Sequence, residues 1–181
     1  VQYGDGRNDP GGILSLYAAL RSRSLISRQQ WQTHEHDPSK VHGETNCFRY
    51  VPRPWHVLRI QDANQANHQL ALAKTTLACL ITGTSLQLSV NGPAGWATAI
   101  GQVASGDTNQ ESDQQLSERL GTMKNGTLRF LGGYDVNLFS PEKIGNIPVL
   151  SSPVLANGRL ELLNHLREQS ISETVHRYGN I

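Results

Sequence analysis

The stretch from residue 56 to residue 90 constrains the fold of this chain more than any other. Residues 56–60 predict a short strand, and residues 65–82 contain neither proline nor glycine. Gly83 ends this second segment, and residues 85–90 alternate apolar and polar side chains like a strand with one buried face. Within residues 65–82, apolar side chains recur at the spacing of one helix face, at Leu70, Ala73, Leu77, Leu80 and Ile81. Strand, helix and strand together form a βαβ unit, whose crossover is almost always right-handed.

This unit predicts an α/β fold with a Rossmann-like, mostly parallel open sheet and helices on both faces. At 181 residues the chain suits one domain with a peripheral arm. We expect a connector with a short helix over residues 1–42 and the α/β domain over residues 43–169. A C-terminal strand-like tail over residues 170–181 completes the predicted organisation.

The pattern after residue 110 repeats the rhythm of strand and helix. Ser112 and Asp113 predict the start of a helix that ends near Gly121. Residues 127–131 predict a third strand. Residues 147–150 predict a short strand at a sheet edge, because a proline at position 148 cannot donate to a ladder.

Four further segments complete the prediction. Residues 104–110 and 134–146 are typical of loops and irregular structure. Asn157 predicts the cap of a helix that runs to about Gln169, with a wide apolar stripe. Residues 171–178 alternate and include β-branched side chains, which favours a terminal strand.

The dinucleotide fingerprint is missing from the places where this fold would carry it. Glycines after the first strand let the backbone approach a pyrophosphate, and an acid after the second strand binds the ribose. This chain has Gln61-Asp62-Ala63-Asn64 at the first place and Asn91-Gly92 at the second. We therefore expect no cofactor-binding residue in this segment.

Composition narrows the class of partner. The formal net charge is +1, and no basic run interleaved with aromatic residues indicates nucleic acid. No apolar stretch is long enough to cross a membrane, and the start lacks a signal-peptide pattern. Cys47 and Cys79 indicate no disulfide framework, so we expect a cytoplasmic protein. Because the chain opens at Val1 and its single methionine is Met123, we expect it to be a piece of something longer.

One cluster of possible metal ligands stands near the start of the predicted domain, at residues 34–37 and His42. A spacing of two puts His34 and His36 on one side of an extended segment, where a surface metal site is conceivable. A solvated loop is the plainer interpretation, because no distant pair of ligands is evident. We therefore assign no metal ligand.

The carboxyl-terminal sequence resembles a known family. Residues 153–163 (PVLANGRLELL), 166–172 (LREQSIS) and 176–180 (HRYGN) are similar to the end of bacterial Δ1-pyrroline-5-carboxylate dehydrogenases, including the bifunctional proline utilisation A flavoenzymes. Residues 43–46 (GETN), followed by the Arg-Pro pair at 53–54 and a strand, resemble the entry to the extra C-terminal domain that some of these enzymes carry. The similarity covers residues 43–181.

The resemblance implies a parent enzyme of proline catabolism that oxidises glutamate semialdehyde to glutamate with NAD, and that also holds FAD when a proline dehydrogenase module is present. Neither Cys47 nor Cys79 lies in the Gly-Gln-x-Cys setting of the family's nucleophile, and the glutamate base motif is also missing. We assign no catalytic residue, and the machinery would lie upstream of Val1. This segment then resembles the non-catalytic, aldehyde-dehydrogenase-like C-terminal domain. Its implied partners are the upstream catalytic module and a second protomer.

In the larger family members, the terminal segment helps to seal the internal channel through which the intermediate passes. Carried over to this sequence, the candidates for that role are Arg167, Glu168, Gln169, Ser170, His176, Arg177, Tyr178, Gly179 and Asn180. We expect the last dozen residues to find their hydrogen-bond partners on another polypeptide surface. Two other functions stay open: an independent small-ligand or nucleotide-binding α/β domain, and an adaptor that docks a partner through its terminal strand.

Overall fold

A computed structural model of the chain describes residues 34–61, 66–92 and 107–174. Five parallel strands form the main sheet in the order β4-β3-β2-β5-β6, which are β2 (Trp55–Ile60), β3 (Ser85–Val90), β4 (Thr108–Gln110), β5 (Thr127–Leu131) and β6 (Val149–Leu150). A second sheet of two antiparallel strands joins β1 (Glu44–Pro52) and β7 (Leu166–Thr174). The helices are α1 (Ala66–Thr82), α2 (Asp113–Gly121), α3 (Pro141–Ile144) and α4 (Gly158–Leu163). The predicted α/β fold with an open parallel sheet is confirmed.

The predicted βαβ unit is formed by β2, α1 and β3. β2 and β3 are parallel and in register, with Leu58 beside Leu88. Gly83 has a φ of +78°, in the left-handed region that closes a helix and favours glycine, and its N–H donates to the Cys79 carbonyl at 2.8 Å. The unit therefore begins and ends close to where local sequence signals place it.

Helices cover both faces of the sheet and divide the core in two. On one face, α1 packs on β2 and β3 through a cluster that includes Leu58, Leu72, Leu86 and Leu88, and α4 joins the same face beside α1. On the other face, α2 and α3 enclose a second cluster, which includes Val57, Leu116, Leu120, Leu128 and Phe130. We refer to these as the α1/α4 face and the α2/α3 face.

The apolar stripe predicted for α1 is only partly the buried one. Leu77 and Ile81 are buried, whereas Leu70 and Leu80 are 40% and 45% exposed. Leu72 and Cys79 are buried in place of these two leucines. The buried side of α1 is therefore rotated relative to the stripe of leucines, because the helix also packs against α4.

Helix α2 begins as predicted. Ser112 is its N-cap, with its Oγ accepting from the Gln115 N–H at 3.3 Å, while the Gln115 side chain accepts from the Ser112 N–H at 2.8 Å. This reciprocal pair is a capping box, and it satisfies two backbone donors at a helix end. The two apolar positions that the sequence indicates, Leu116 and Leu120, are both fully buried.

The largest error of the sequence-based prediction lies near the carboxyl end. Asn157 caps α4 as predicted, but the helix ends at Leu163 and not near Gln169. The chain turns at Asn164, buries His165, and starts β7 at Leu166 rather than at residue 171. Strand β7 forms there because β1, far away in sequence, offers a full antiparallel register from Pro52↔Leu166 to Glu44↔Thr174.

Two loop assignments are also corrected in part. Residues 108–110, assigned to a surface loop, form the edge strand β4 beside β3. Residues 141–144, assigned to irregular structure, form the one-turn helix α3. The expected edge strand around residue 149 is confirmed as β6, which pairs only with β5 among the described residues. The expected helix within residues 1–42 lies outside the described residues, and the domain limits at 42 and 169 stay predictions.

Candidate functional site

Ligands of open α/β sheets usually bind beyond the carboxyl ends of the strands, where the strand order reverses. In this sheet the order reverses between β2 and β5. The Gln61 N–H donates to the Leu131 carbonyl at 3.3 Å, so the two strands stay bonded to their ends. The Gln61 side chain then turns to Asp113 and donates to both carboxylate oxygens at 3.0 Å. The polar groups of Gln61 at this reversal therefore form hydrogen bonds with other groups of the protein.

Arg59 is the centre of the polar contacts on the α2/α3 face. Its guanidinium is fully buried and donates to the Ser89 hydroxyl at 3.0 Å and to the Glu111 carbonyl at 2.7 Å. Its other terminal nitrogen pairs with Asp113 at 2.6 Å. This one side chain therefore connects two strands, β2 and β3, with the start of α2.

The structure describes one of the two segments that would carry a dinucleotide fingerprint. Asn91 and Gly92 follow β3, at the position where a ribose-binding acid would stand. Residues 62–64, the counterpart of the glycine-rich turn, lie outside the described residues. The described residues directly after β3 thus include no acid.

A second buried arginine lies on the α1/α4 face. Arg129 of β5 pairs with Glu161 of α4 at 2.7 Å and donates to the Ser152 carbonyl at 3.1 Å. The other carboxylate oxygen of Glu161 accepts from the Leu155 N–H at 2.8 Å. Burial raises the pKa of Glu161, but its contacts with His165 and Arg129 lower this pKa by more. The pKa of Glu161 therefore lies below its usual range.

Two histidines and a cysteine extend this polar group. The imidazole of His165 has Nδ1 at 3.5 Å from the Cys79 Sγ and Nε2 at 3.5 Å from Glu161, and its ring stacks on His56 with centroids 4.3 Å apart. Both imidazoles are fully buried, and burial lowers the pKa of each. They are therefore held neutral near pH 7.

Cysteine, histidine and glutamate in this order resemble a nucleophilic triad, but the environment forbids that chemistry. Burial raises the pKa of the Cys79 thiol well above its ordinary value, so the thiolate is not formed near neutral pH. Cys79 is 1% exposed, and no carbonyl group of a substrate can reach it. We interpret the group as structural, because it joins α1, α4 and the start of β7.

Sequence reasoning missed this buried network, although one signal for it is present. Arg59 and Arg129 each sit in the middle of a strand between apolar neighbours, and both strands are central in the sheet. A cation at such a position requires a buried anion. Their partners Asp113 and Glu161 follow 54 and 32 residues later, and local patterns do not reveal that pairing.

The two-stranded sheet of β1 and β7, which we call the flap, carries the four described residues of the predicted channel-sealing set. Arg167, Glu168, Gln169 and Ser170 are all exposed on β7. Gln169 accepts from Arg49 of β1 at 2.9 Å. The other candidates, His176 to Asn180, lie outside the described residues.

The expectation that the last dozen residues pair with another polypeptide is wrong for one edge of residues 170–174. These residues find their strand partner in β1 of the same chain. β1 has a further partner on its other edge, where the N–H and C=O of Phe48 exchange bonds of 2.9 Å with His36. β7 has no second strand partner among the described residues, so its outer edge is open, whereas the outer edge of β1 carries this one bridge.

The register shows which backbone groups form that open edge. Because the N–H and C=O of Phe48 point toward His36, the opposite pair Phe48↔Ser170 is not hydrogen-bonded. In an antiparallel ladder, bonded and non-bonded pairs alternate. The N–H and C=O of Ser170 therefore point away from β1, as do those of Glu168 and Ser172, while those of Ile171 point toward β1.

The histidine cluster near residue 36 forms part of the flap. The His36 ring stacks on Phe48 with centroids 5.2 Å apart. The Asp37 carboxylate accepts from the Lys40 N–H and the Ser39 hydroxyl, and these hydrogen bonds lower its pKa. Within residues 34–61, 66–92 and 107–174, no three His, Cys, Asp or Glu side chains are grouped as a metal site would require. None of the described helices is both long and apolar enough to span a bilayer.

The chain resembles known proteins in structure rather than in sequence. No protein-family model matches the sequence, and no curated protein matches it. Among solved structures, proline utilization A (PutA) from Corynebacterium freiburgense superposes with a TM-score of 0.57 and 21% identity over 100% of this chain and 16% of that chain.

Two further structures come from smaller dehydrogenases. A succinate-semialdehyde dehydrogenase from Burkholderia pseudomallei superposes with a TM-score of 0.57 at 10% identity, over 77% of this chain and 30% of that chain. An NAD-dependent benzaldehyde dehydrogenase from Corynebacterium glutamicum gives a TM-score of 0.54 at 13% identity, over 77% and 33%. The chain spans less than a third or about a third of each of these proteins, and what it shares with that part of them is the α/β fold.

Proposed function

We propose that this chain is the non-catalytic C-terminal domain of a cytoplasmic Δ1-pyrroline-5-carboxylate (glutamate semialdehyde) dehydrogenase of proline catabolism, and that it covers or assembles the catalytic module. The sequence resemblance at residues 153–180 supports this proposal. The fold it shares with a 16% portion of a proline utilization A chain is compatible with it. In this proposal NAD binds to the parent's catalytic module, and FAD to a proline dehydrogenase module if one is present.

The observation that carries the proposal is the open edge of β7. An exposed strand edge offers a row of unpaired N–H and C=O groups to another chain or domain. Strand addition at such an edge uses these main-chain groups for affinity and the side chains for specificity. β7 is nine residues long, and most of its side chains are exposed, which suits an interface that another module completes.

The environments of the two cysteines favour a structural role of this chain over a catalytic one. Cys79 is inaccessible, and partial burial, with the carboxylates of Asp37 and Glu35 nearby, raises the pKa of the Cys47 thiol. The described cysteines are thus kept as thiols and are unsuited to attack an aldehyde. Arg167 to Ser170, with His176 to Asn180, are proposed to contact the catalytic module at its internal channel.

A proline substitution at the open edge tests the proposal. In the complete enzyme that the proposal requires, Ser170→Pro removes an outward N–H without breaking a bond to β1. We expect coupled turnover of aldehyde to fall by about tenfold, which is equivalent to about 1.4 kcal/mol. The alternative expected result is dissociation of the oligomer. Steady-state kinetics and light scattering give the measurement.

Two controls accompany this variant. Ser170→Thr keeps the N–H and should behave as the wild type. Ile171→Pro removes an inward N–H and should disrupt the flap itself, which hydrogen exchange of β1 would show. Wild-type turnover and assembly for Ser170→Pro would contradict the proposed role of the edge.

An independent small-ligand or nucleotide-binding domain is the second candidate function. A cleft of about 380 Å³ near the carboxyl ends of β5 and β6 favours it. Calorimetry with NAD and ATP separates the two. Saturable heat with either nucleotide would support the second candidate, and its absence with an intact fold would support the first.

A further inference from the structure

The cleft near the carboxyl ends of β5 and β6 has no role in the cover-domain function. It lies between the first half of α1 and the segment that follows β6, with the end of β5 as its floor. Its volume of about 380 Å³ is within the range of small-molecule sites. It also lies beside the strand-order reversal, where ligands of open α/β sheets bind.

Among the described residues that line this cleft, Lys74 carries the only permanent charge, and His68 is the other titratable group. It is half-buried, and it makes no ion pair or hydrogen bond with the residues that the structure describes. Glu161 shares with it a second, narrow cavity of about 20 Å³, but the Glu161 oxygens are already bound by Arg129 and the Leu155 N–H. A half-buried lysine side chain with no anionic partner among the described residues can pair with an anionic ligand.

The other groups of the cleft limit the chemistry of that anion. Asn67, Ser151 and Ser152 supply neutral polar groups beside Lys74, and none of the described lining residues is a carboxylate. One cation without an arginine fork matches a single negative charge better than a phosphate dianion. A carboxylate is the simplest such group.

Apart from His68, the rest of the described wall is mainly apolar. Leu70, Ala71, Leu131 and Val154 face the cleft, and Leu70 is 40% exposed. Covering this surface with an apolar ligand would remove it from water at about 25 cal/mol per Å². The wall therefore fits the hydrocarbon part of an amphiphilic acid.

We propose that this cleft binds a small monocarboxylic acid with an apolar body, whose carboxylate pairs with the Lys74 ammonium. The body lies on the apolar wall between α1 and the segment after β6. Such a ligand would fasten these two segments together and stabilise the α1/α4 face. The site is independent of the β7 edge, so either proposal can fail alone.

Titration of the 181-residue chain with hexanoate, and with the neutral isostere hexanamide, tests this site by calorimetry and amide NMR shifts. We expect a hexanoate Kd of about 0.1–1 mM and hexanamide binding at least about tenfold weaker. The shifted amides should belong to residues 67–74, 131–132 and 151–154. Lys74→Met keeps the aliphatic stem and should reduce hexanoate affinity to that of hexanamide.

Two further variants complete the design. Lys124→Met changes an exposed lysine outside the cleft and should bind hexanoate like the wild type. Ser151→Trp fills the cleft from an exposed position and should abolish both ligands while the circular dichroism spectrum is retained. The proposal is overturned by equal affinity for hexanoate and hexanamide, by unchanged binding in Lys74→Met and Ser151→Trp, or by no saturation at about 10 mM.

Discussion

The two faces of the parallel sheet each bury one arginine against one carboxylate, and they differ in how far the pair lies from water. On the α2/α3 face, Arg59 is fully buried but Asp113 is 27% exposed. On the α1/α4 face, Arg129 is fully buried and Glu161 is only 4% exposed. The same pairing chemistry therefore operates next to solvent on one face and inside the core on the other.

The difference predicts how each arginine is compensated when its carboxylate partner is removed. Arg59 retains two neutral acceptors, Ser89 and the Glu111 carbonyl, if its carboxylate partner is lost. Among the described residues, Arg129 would retain only the Ser152 carbonyl. The deep pair thus depends on its single anion, whereas the shallow pair is shared among neighbours and water.

Glu161→Gln on the α1/α4 face should have the largest effect. It leaves the Arg129 charge buried without an anion, a situation that destabilises proteins by about 3–5 kcal/mol. Urea unfolding at pH 7 measures the change. The double variant Arg129→Met with Glu161→Gln should recover a large part of this loss, since no buried charge then remains. A loss below about 1 kcal/mol for the single variant would show that Arg129 has other compensation.

Acid should destabilise the α1/α4 face next. The folded state depresses the pKa of His56 and His165, so below pH 6.5 the unfolded chain binds more protons than the folded one. Stability therefore falls as the pH drops through 6.5, by at most about 1.4 kcal/mol per pH unit for each proton. We expect a loss of about 1–2 kcal/mol between pH 7 and pH 5.5.

The variant His56→Phe provides the control for this pH dependence. It keeps a ring beside His165 but removes one titrating group, so the slope of stability against pH should become shallower. A slope equal to that of the wild type would mean that other groups cause the acid sensitivity.

Asp113→Asn on the α2/α3 face should cost less than its counterpart Glu161→Gln, about 1–2 kcal/mol. The amide can still accept from Arg59, and the 27% exposure of the site admits water. Unfolding of the two amide variants under identical conditions gives the ratio. Equal losses would remove the distinction between the two faces.

Ser112→Ala should have the smallest effect, about 0.5–1 kcal/mol. It removes the cap of α2 but leaves the Arg59 pair in place. This variant separates the contribution of the helix end from that of the ion pair. An effect as large as that of Asp113→Asn would indicate that helix capping, and not charge pairing, dominates this edge.

Local sequence signals predicted those parts of the fold that local interactions determine. The βαβ unit follows from helix periodicity, strand alternation and Gly83, and α2 follows from its capping box. The helix expected up to Gln169 failed because the competing structure, β7, depends on β1 about 120 residues away. The leucine spacing of the segment up to Gln169 is compatible with a helix. Only the long-range register with β1 makes a strand more favourable there.

The candidate sites were predictable to different extents. The resemblance drew attention to Arg167–Ser170, which lie on the open strand, but no local pattern indicated the alternating direction of their backbone groups. The buried pairs of Arg59 and Arg129, and the cleft around Lys74, depend on residues that only the fold brings together. Tertiary contacts of this kind have no periodicity in the sequence.

Hydrogen exchange at the open edge of β7 tests the cover-domain account most directly. In the isolated chain, the amide of Ile171 should be protected by β1, while those of Glu168, Ser170 and Ser172 should exchange fast. In the complete enzyme, the account predicts strong protection of these three amides as well, because the catalytic module would pair with them. Equally fast exchange of the three amides in both forms would contradict the account.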